Sequence, residues 1–166
     1  MKSAYYNKKE FANLIQENQG LVHKVTYVYA DNPVDREDLF QEICLQLWKS
    51  NSLFRNESKF STWAYRIALN TAINYLRKKK RSIKYEKLND SHQASIPSSG
   101  ENEELRLMYA AISNLNRIDK AIIFLWLEEK NYDEISEITG ISKSNVSVKL
   151  VRIKRKLQEM ILTKQK

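Results

Sequence analysis

Apolar residues recur at spacings of three and four through almost the whole chain, and this period dictates a structure built from helices. Phe11, Leu14 and Ile15 mark a first helix, and Leu21, Val22, Val25 and Val28 a second. Asp31-Asn32-Pro33 interrupts the pattern. A third helix starts at Asp35 and carries Leu39, Ile43, Leu47 and Trp48. After a polar loop, Lys49–Lys59, a fourth runs from near Ser61 to about Lys80. Three glycines and two prolines in 166 residues are too few for the tight turns of an all-β chain. The fold class is therefore all-α.

Between Ser82 and Asn102 the period vanishes and Ser, Asn, His, Pro and Gly take over. This stretch reads as a flexible linker, 82–102, between two small domains, 1–81 and 103–166. Periodicity resumes at Leu105, with Met108, Ala111, Ile112 and Leu115. A helix from Arg117 to Glu129 follows, with Ile118, Ile122, Leu125 and Trp126 facing inward. A short helix, Asp133–Thr139, a turn at Gly140 and a long helix from about Lys143 to Leu162 complete the chain.

A net charge of +8 and a pI near 9.5 point to polyanionic partners, either nucleic acid or anionic lipid. The longest apolar run, Ile122–Leu127, is far short of a membrane span. The N-terminus has no apolar signal core. The single cysteine, Cys44, excludes an internal disulfide and reads as a small buried hydrophobe. A cytoplasmic location is expected. No nucleophile, paired acid and base, or metal-binding cluster is apparent, and His23 and His92 stand isolated. The chain is thus expected to be no enzyme and to need no cofactor.

The C-terminal segment has the parts of a helix-turn-helix. Asn131 and Glu134 form a capping-box pair, and Ile135 and Ile138 face inward. Gly140 suits a residue of positive φ, Ile141 plugs the turn, and Ser142 caps the last helix. Val146, Leu150, Ile153, Leu157 and Ile161 form one apolar stripe, with Ser144, Val148, Val151, Arg152 and Arg155 opposite. Eight Lys or Arg and one acid follow Gly140. A groove-reading helix needs this division: one side held by its support, the other facing base edges, flanked by cations for phosphate. Val148 and Val151 suit thymine methyls, and Arg152 suits guanine. A plain amphipathic helix with a solvated basic face is the alternative.

Two more patterns lie in the first domain. Asp38, Gln41, Glu42 and Leu45 share one side of the third helix, beside exposed-looking Phe40, a mixed patch suited to docking a protein. Local electrostatics alone account for its first turn, where Asp35 caps and Glu37 and Asp38 meet the helix dipole. On the fourth helix Arg66, Asn70, Asn74, Arg77 and Arg81 fall within an arc of about 80°, with Trp63 one turn earlier on the same arc. Ala64, Ile67, Ala68, Ala72 and Tyr75 lie opposite. From Thr62 to Arg81 there are six cations and no acid. Asn reads base edges, Trp stacks on an unpaired base, and Arg holds phosphate. Trp63 has a second option, packing over the preceding loop.

Together these residues resemble the extracytoplasmic-function (ECF) sigma factors of the sigma-70 family, over nearly the whole chain. Asp35–Glu42 (DREDLFQE) is similar to the acidic run of region 2, and Phe54–Arg81 to its T-W-L-Y-R-I-A-x-N segment. Tyr132–Leu157 is similar to region 4. The resemblance implies a protein that binds core RNA polymerase and directs promoter-specific initiation. It implies that Asp35, Asp38, Leu39, Gln41 and Glu42 meet the β′ clamp helices, and that the β flap is a second polymerase contact. The segment Phe54–Thr62, including Phe60, with Trp63, Arg66, Asn70, Asn74 and Arg77, would recognise and melt the −10 element and capture a flipped base. Ser144, Ser147, Val148, Val151 and Arg152, with Lys143, Lys149 and Arg155 near phosphates, would read the −35 element. A membrane-anchored anti-sigma factor is a common partner in the family, although no residue here specifies one. Three positions depart from the pattern. Ser147 replaces the usual Lys or Arg, Val148 the usual Ser, and Ala64 the usual Leu. The first two alter which −35 sequence is read rather than how the helix binds.

Two other functions fit parts of the pattern. A stand-alone helix-turn-helix regulator would bind duplex DNA tightly without polymerase and would not need the acidic patch. A polymerase-binding adaptor would tolerate Arg152→Ala and Asn70→Ala.

Overall fold

The computed structural model describes residues 6–86 and 103–164. These form eight α-helices and one 3-10 turn, with no strand among the described residues. The described residues divide into two compact units, 6–86 and 103–164.

The first unit holds α1 (Lys8–Glu17), α2 (Gln19–Tyr29), α3 (Pro33–Lys49), the 3-10 turn Asn51–Leu53 and α4 (Phe60–Glu86). Asn7 and Glu10 close a reciprocal capping box at the start of α1. Helix α3 begins two residues before the expected Asp35. Pro33 enters its first turn, where a missing N–H costs nothing, and the Asn32 side chain accepts from the Asp35 N–H. The cap is therefore Asn32 and not Asp35.

Helix α3 packs against both α2 and α4, and α1 lies on α2 and α3. Into this core α3 contributes Leu39, Ile43 and Leu47, α2 contributes Val22, Val25 and Tyr29, and α1 contributes Phe11. Ala64, Ala68 and Ala72, one turn apart, are the corresponding buried positions of α4. Small residues there let the helix axes approach closely, and this accounts for alanine at position 64.

Helix α4 continues through Glu86, past the expected linker start at Ser82. Ser82–Glu86 contains no Gly or Pro to stop it, and the Ser82 hydroxyl donates back to the Lys78 carbonyl. From residue 87 to 102 the expected linker lies outside the described residues.

The second unit holds α5 (Glu103–Ser113), α6 (Arg117–Leu127), α7 (Tyr132–Thr139) and α8 (Lys143–Lys164). Helix α8 packs on α5, α6 and α7. The apolar run of α6 cannot all face one way, because six consecutive residues wind more than once around a helix. Ile122–Leu125 are buried, whereas Trp126 and Leu127 stay 37% and 40% exposed. Ile118, in the first turn of α6, is also exposed. Two of the four residues expected inward on this helix, Ile118 and Trp126, are therefore at the surface.

Candidate nucleic-acid interface

In the second unit the local sequence builds a helix, a sharp turn and a helix. Asn131 accepts from the Glu134 N–H at 2.9 Å, and the Glu134 carboxylate accepts from the Asn131 N–H at 3.0 Å. Helix α7 stops at Gly140, whose φ of 74° lies in the left-handed region. A β-carbon there would meet nothing within 4 Å, so the demand for glycine is conformational rather than steric. Ile141 is half-buried under the turn. Ser142 Oγ then accepts from the Asn145 N–H at 3.4 Å and opens α8.

Helix α8 has two distinct sides. Val146, Leu150, Ile153 and Leu157 are 0 to 8% exposed, and Ile161 is half-buried. Opposite them Ser144, Val148, Val151, Arg152 and Arg155 are exposed, Val151 at 68%. Ser147 is half-buried beside this face. The two nearest lysines are engaged within the unit. Lys143 donates to Asp133 at 2.8 Å in a pair exposed on both sides. Lys149 donates to the more sheltered Asp119 at 3.0 Å, and Asp119 also accepts from Asn116 Nδ2 at 2.6 Å. An exposed pair such as Lys143–Asp133 is weak enough to be exchanged for a phosphate. Lys149 is oriented by a partner thirty residues away that the linear sequence did not reveal.

An apolar groove opens elsewhere on this unit. Met108, Ile112, Trp126, Leu127, Ile161 and Leu162 line it, and the Lys154 ammonium sits 3.8 Å from the centre of the Trp126 ring. The exposed end of the α6 apolar run was its sequence signal.

In the first unit Arg66, Asn70, Asn74, Arg77 and Arg81 are all exposed, on the one face the spacing required. A groove runs between α4 and α3. Asn70, Asn74, Arg77, Lys78 and Arg81 stand on one wall, and Asp35, Asp38 and Glu42 on the other. Asp35 ties the walls together. Its carboxylate accepts from Asn32 Nδ2 at 2.5 Å, from the Tyr75 hydroxyl at 3.2 Å, and from the Lys79 ammonium. Burial pushes the Asp35 carboxyl up, but the hydrogen bonds from Lys79 and Asn32, the Lys79 charge and the Tyr75 hydroxyl outweigh it and hold the pKa below its usual value. Burial, then the nearby Asp35 charge, pushes the Tyr75 phenol up to about 12.

Of the other residues expected to meet polymerase, Asp38 and Gln41 are exposed. Glu42 is half-buried and accepts from Gln46 Nε2 at 2.9 Å. Leu45 extends the patch at 44% exposure. Leu39 is 0% exposed. It lies one and two turns from Ile43 and Leu47, on the inward side of α3, so it supports the patch without touching a partner. Phe40 is half-buried, stacked on the His23 ring at 4.4 Å.

A low folded pKa for Asp35 gives stability that is present above the ordinary carboxylate pKa and lost as pH falls through the lowered value. Asp35→Asn is therefore expected to cost roughly 1 kcal/mol at neutral pH, discounted for the partly exposed lysine. The difference from wild type should close in acid. Melting curves from pH 7 down to pH 2 check this, and a gap that persists at the acid end contradicts it.

Phe60 and Trp63 belong to an aromatic cluster around buried Phe11. Trp63 lies 5.8 Å from Phe11, 5.0 Å from Phe54 and 5.5 Å from Phe60, ring centre to ring centre. Phe60 is edge-on to both Phe11 and Phe54. Trp63 thus packs over the preceding loop, and it remains half-buried. Arg55, Asn56, Glu57 and Lys59 of that loop are exposed above the cluster.

Among the described residues no group of three or more His, Cys, Asp or Glu is placed to hold a metal. None of the helices there is long and apolar enough to cross a membrane.

Known proteins resemble this chain in sequence and in fold. Residues 14–82 match the family described as Sigma-70 region 2, and residues 105–157 match Sigma-70, region 4. The ECF RNA polymerase sigma-E factor of Haemophilus influenzae is 30% identical, covering 93% of this chain and 89% of its own. The RNA polymerase sigma factor SigV of Bacillus subtilis is 28% identical over 99% of this chain and 98% of its own. In fold, the chain is similar to the sigma factor RpoE from Bartonella quintana, solved with the anti-sigma factor NepR. That match has a TM-score of 0.76 at 19% identity and covers 92% of this chain and 97% of that one. CnrH, solved with the cytosolic domain of CnrY, is also similar, with a TM-score of 0.68 at 16% identity over 98% of this chain and 94% of that one. With the two regions in order and a relative matched at this identity over nearly its full length, the chain belongs to the sigma-70 family of RNA polymerase sigma factors, in its ECF group.

Proposed function

We propose that this chain docks on core RNA polymerase through α3 and directs initiation by gripping a promoter at two elements. One observation carries this reading. Two separate units each present an outward helix face that carries arginines, beside asparagines on α4 and beside serine and valines on α8, and the first also presents an acidic one on α3. A stand-alone DNA regulator needs no acidic face, and an adaptor needs neither basic one.

Asp38, Gln41 and Glu42 are the polymerase-facing residues, set on the β′ clamp helices, with Asp35 and Leu39 holding α3 in place beneath them. The apolar groove beside Trp126 takes the β flap. Arg66, Asn70, Asn74 and Arg77, with the loop 54–59, engage the −10 element. Val148, Val151 and Arg152 read the −35 element, with Arg155 and Lys143 on phosphates. Each contact alone is weak, but tethering through one chain raises the effective concentration of the second once the first has formed. Opening costs a few kcal/mol per unstacked step and is offset by base capture. Since the fold relative RpoE from Bartonella quintana was solved with the anti-sigma factor NepR, an anti-sigma factor is proposed for this chain as well.

The test is reconstitution. The purified chain, mixed with core polymerase, should form a holoenzyme and initiate at discrete sites within a promoter pool. Alone it should hold promoter DNA feebly and with steep salt dependence. If it fails to bind core yet shifts specific duplex DNA by itself, it is a stand-alone regulator.

A further inference from the structure

Tyr6, just ahead of α1, meets the loop before α4 across fifty residues of sequence. Its ring stacks on Phe54, centres 5.8 Å apart and planes within 22°. Its hydroxyl donates to Asn56 Oδ1 at 3.2 Å and accepts from Asn56 Nδ2 at 3.1 Å. Phe54 is a buried member of the aromatic cluster. Asn56 stands at the exposed crest of the loop with φ of 57°, in the left-handed region that asparagine tolerates better than other side chains.

The loop backbone is anchored at its ends, by the Phe54 N–H on the Asn51 carbonyl and the Trp63 N–H on the Lys59 carbonyl. Tyr6 adds a third point, at the crest. A hydrogen bond between two exposed side chains adds little to stability. Its larger effect is on the number of shapes open to the loop, and a loop already held in its binding shape loses less entropy when it binds.

We infer that Tyr6 is a positioning residue for promoter opening: through its stack on Phe54 and its bond to Asn56, it clamps the loop 54–59 in its strand-receiving shape. This rests on the assignment of that loop and α4 to the −10 element. Tyr6 need not touch DNA.

The experiment uses the full chain in holoenzyme on a duplex promoter, with permanganate reactivity of thymines near −10 as the measure of opening. Tyr6→Phe keeps the ring stack and loses the bond. Asn56→Gly permits the left-handed backbone and loses the bond. Asn56→Asp retains an acceptor for the hydroxyl. Tyr6→Phe and Asn56→Gly should each slow opening roughly three- to tenfold, the factor one hydrogen bond supplies. The double variant should be no slower than either single one. Asn56→Asp should open near the wild-type rate, melting temperature should fall by no more than the few degrees that one hydrogen bond accounts for, and core binding should not change in any of them. Asn70→Ala serves as a control for the α4 assignment. If it slows opening while Tyr6→Phe and Asn56→Gly match wild type, the clamp is overturned and the assignment stands. If Asn70→Ala also opens at the wild-type rate, the −10 assignment falls and takes the clamp with it.

Discussion

Asp38→Arg should weaken holoenzyme assembly severely while leaving the helical fold intact. Asp38 is exposed on the acidic side of α3, so its replacement disturbs no packing. In the proposed complex it meets a cationic partner surface, and reversing its charge turns an attraction into a repulsion. Truncating one partner of a buried interfacial charge pair costs about 2–5 kcal/mol, and like charges placed opposite one another add to that. Every 1.4 kcal/mol is tenfold in affinity, so core binding should weaken by at least roughly 30-fold and transcription should fall with it. Fluorescence anisotropy against core polymerase measures the affinity, and circular dichroism verifies the fold. The neighbouring position provides the contrast. Leu39→Ala removes a core side chain and should lower the melting temperature first, with polymerase binding lost only as the domain unfolds. If Asp38→Arg bound core as well as wild type does, the docking surface would have to lie elsewhere.

Adjacent positions on α8 make the second prediction. Leu150 is buried against the other helices of its unit, whereas Val151 points outward at 68% exposure. Leu150→Ala should cost about 2–5 kcal/mol through lost burial and a residual cavity. A core of this size rarely supplies more than about 3–5 kcal/mol in total, so the second unit should be largely unfolded near physiological temperature. Val151→Ala should change stability by less than about 0.5 kcal/mol. It should instead weaken discrimination at one base pair of the −35 element, by up to about 1 kcal/mol for the loss of apolar contact with a thymine methyl. Urea titration separates the stabilities, and selection from randomised −35 sequences separates the preferences. A Val151→Ala chain with unchanged base preference would remove that residue from the reading face. A Leu150→Ala chain as stable as wild type would show that the unit does not rest on this stripe.

Much of this was legible in the chain itself. Asn131 with Glu134, Gly140 and Ser142 act within one turn of their own positions, so their roles follow from local geometry. The stripe Val146, Leu150, Ile153, Leu157 and the face Arg66, Asn70, Asn74, Arg77 follow from the helical period. Legibility faded at the edges of elements. Asn32 and Pro33, read as a break, were the start of α3. Ser82–Glu86, read as linker, continued α4, because no Gly or Pro in that stretch stops the helix.

What periodicity could not decide was which residues on an outward-looking arc are free to act. Asp35 and Asp38 look alike in sequence, yet Asp35 is held by Tyr75 and Lys79, forty and forty-four residues away. Lys149 looks like any flanking cation until Asp119 is seen beside it, thirty residues earlier. Tyr6 and Asn56 show no relation at all until the chain folds. The amino-acid sequence alone determined that the chain is helical, the caps of α7 and α8, the inward stripe of α8 and the family resemblance, because each arises from neighbours within about one or two turns. Only the tertiary structure decided which charges are spent inside the molecule and which remain for a partner, because that depends on which helices lie side by side, and helix packing brings together residues that no local period connects.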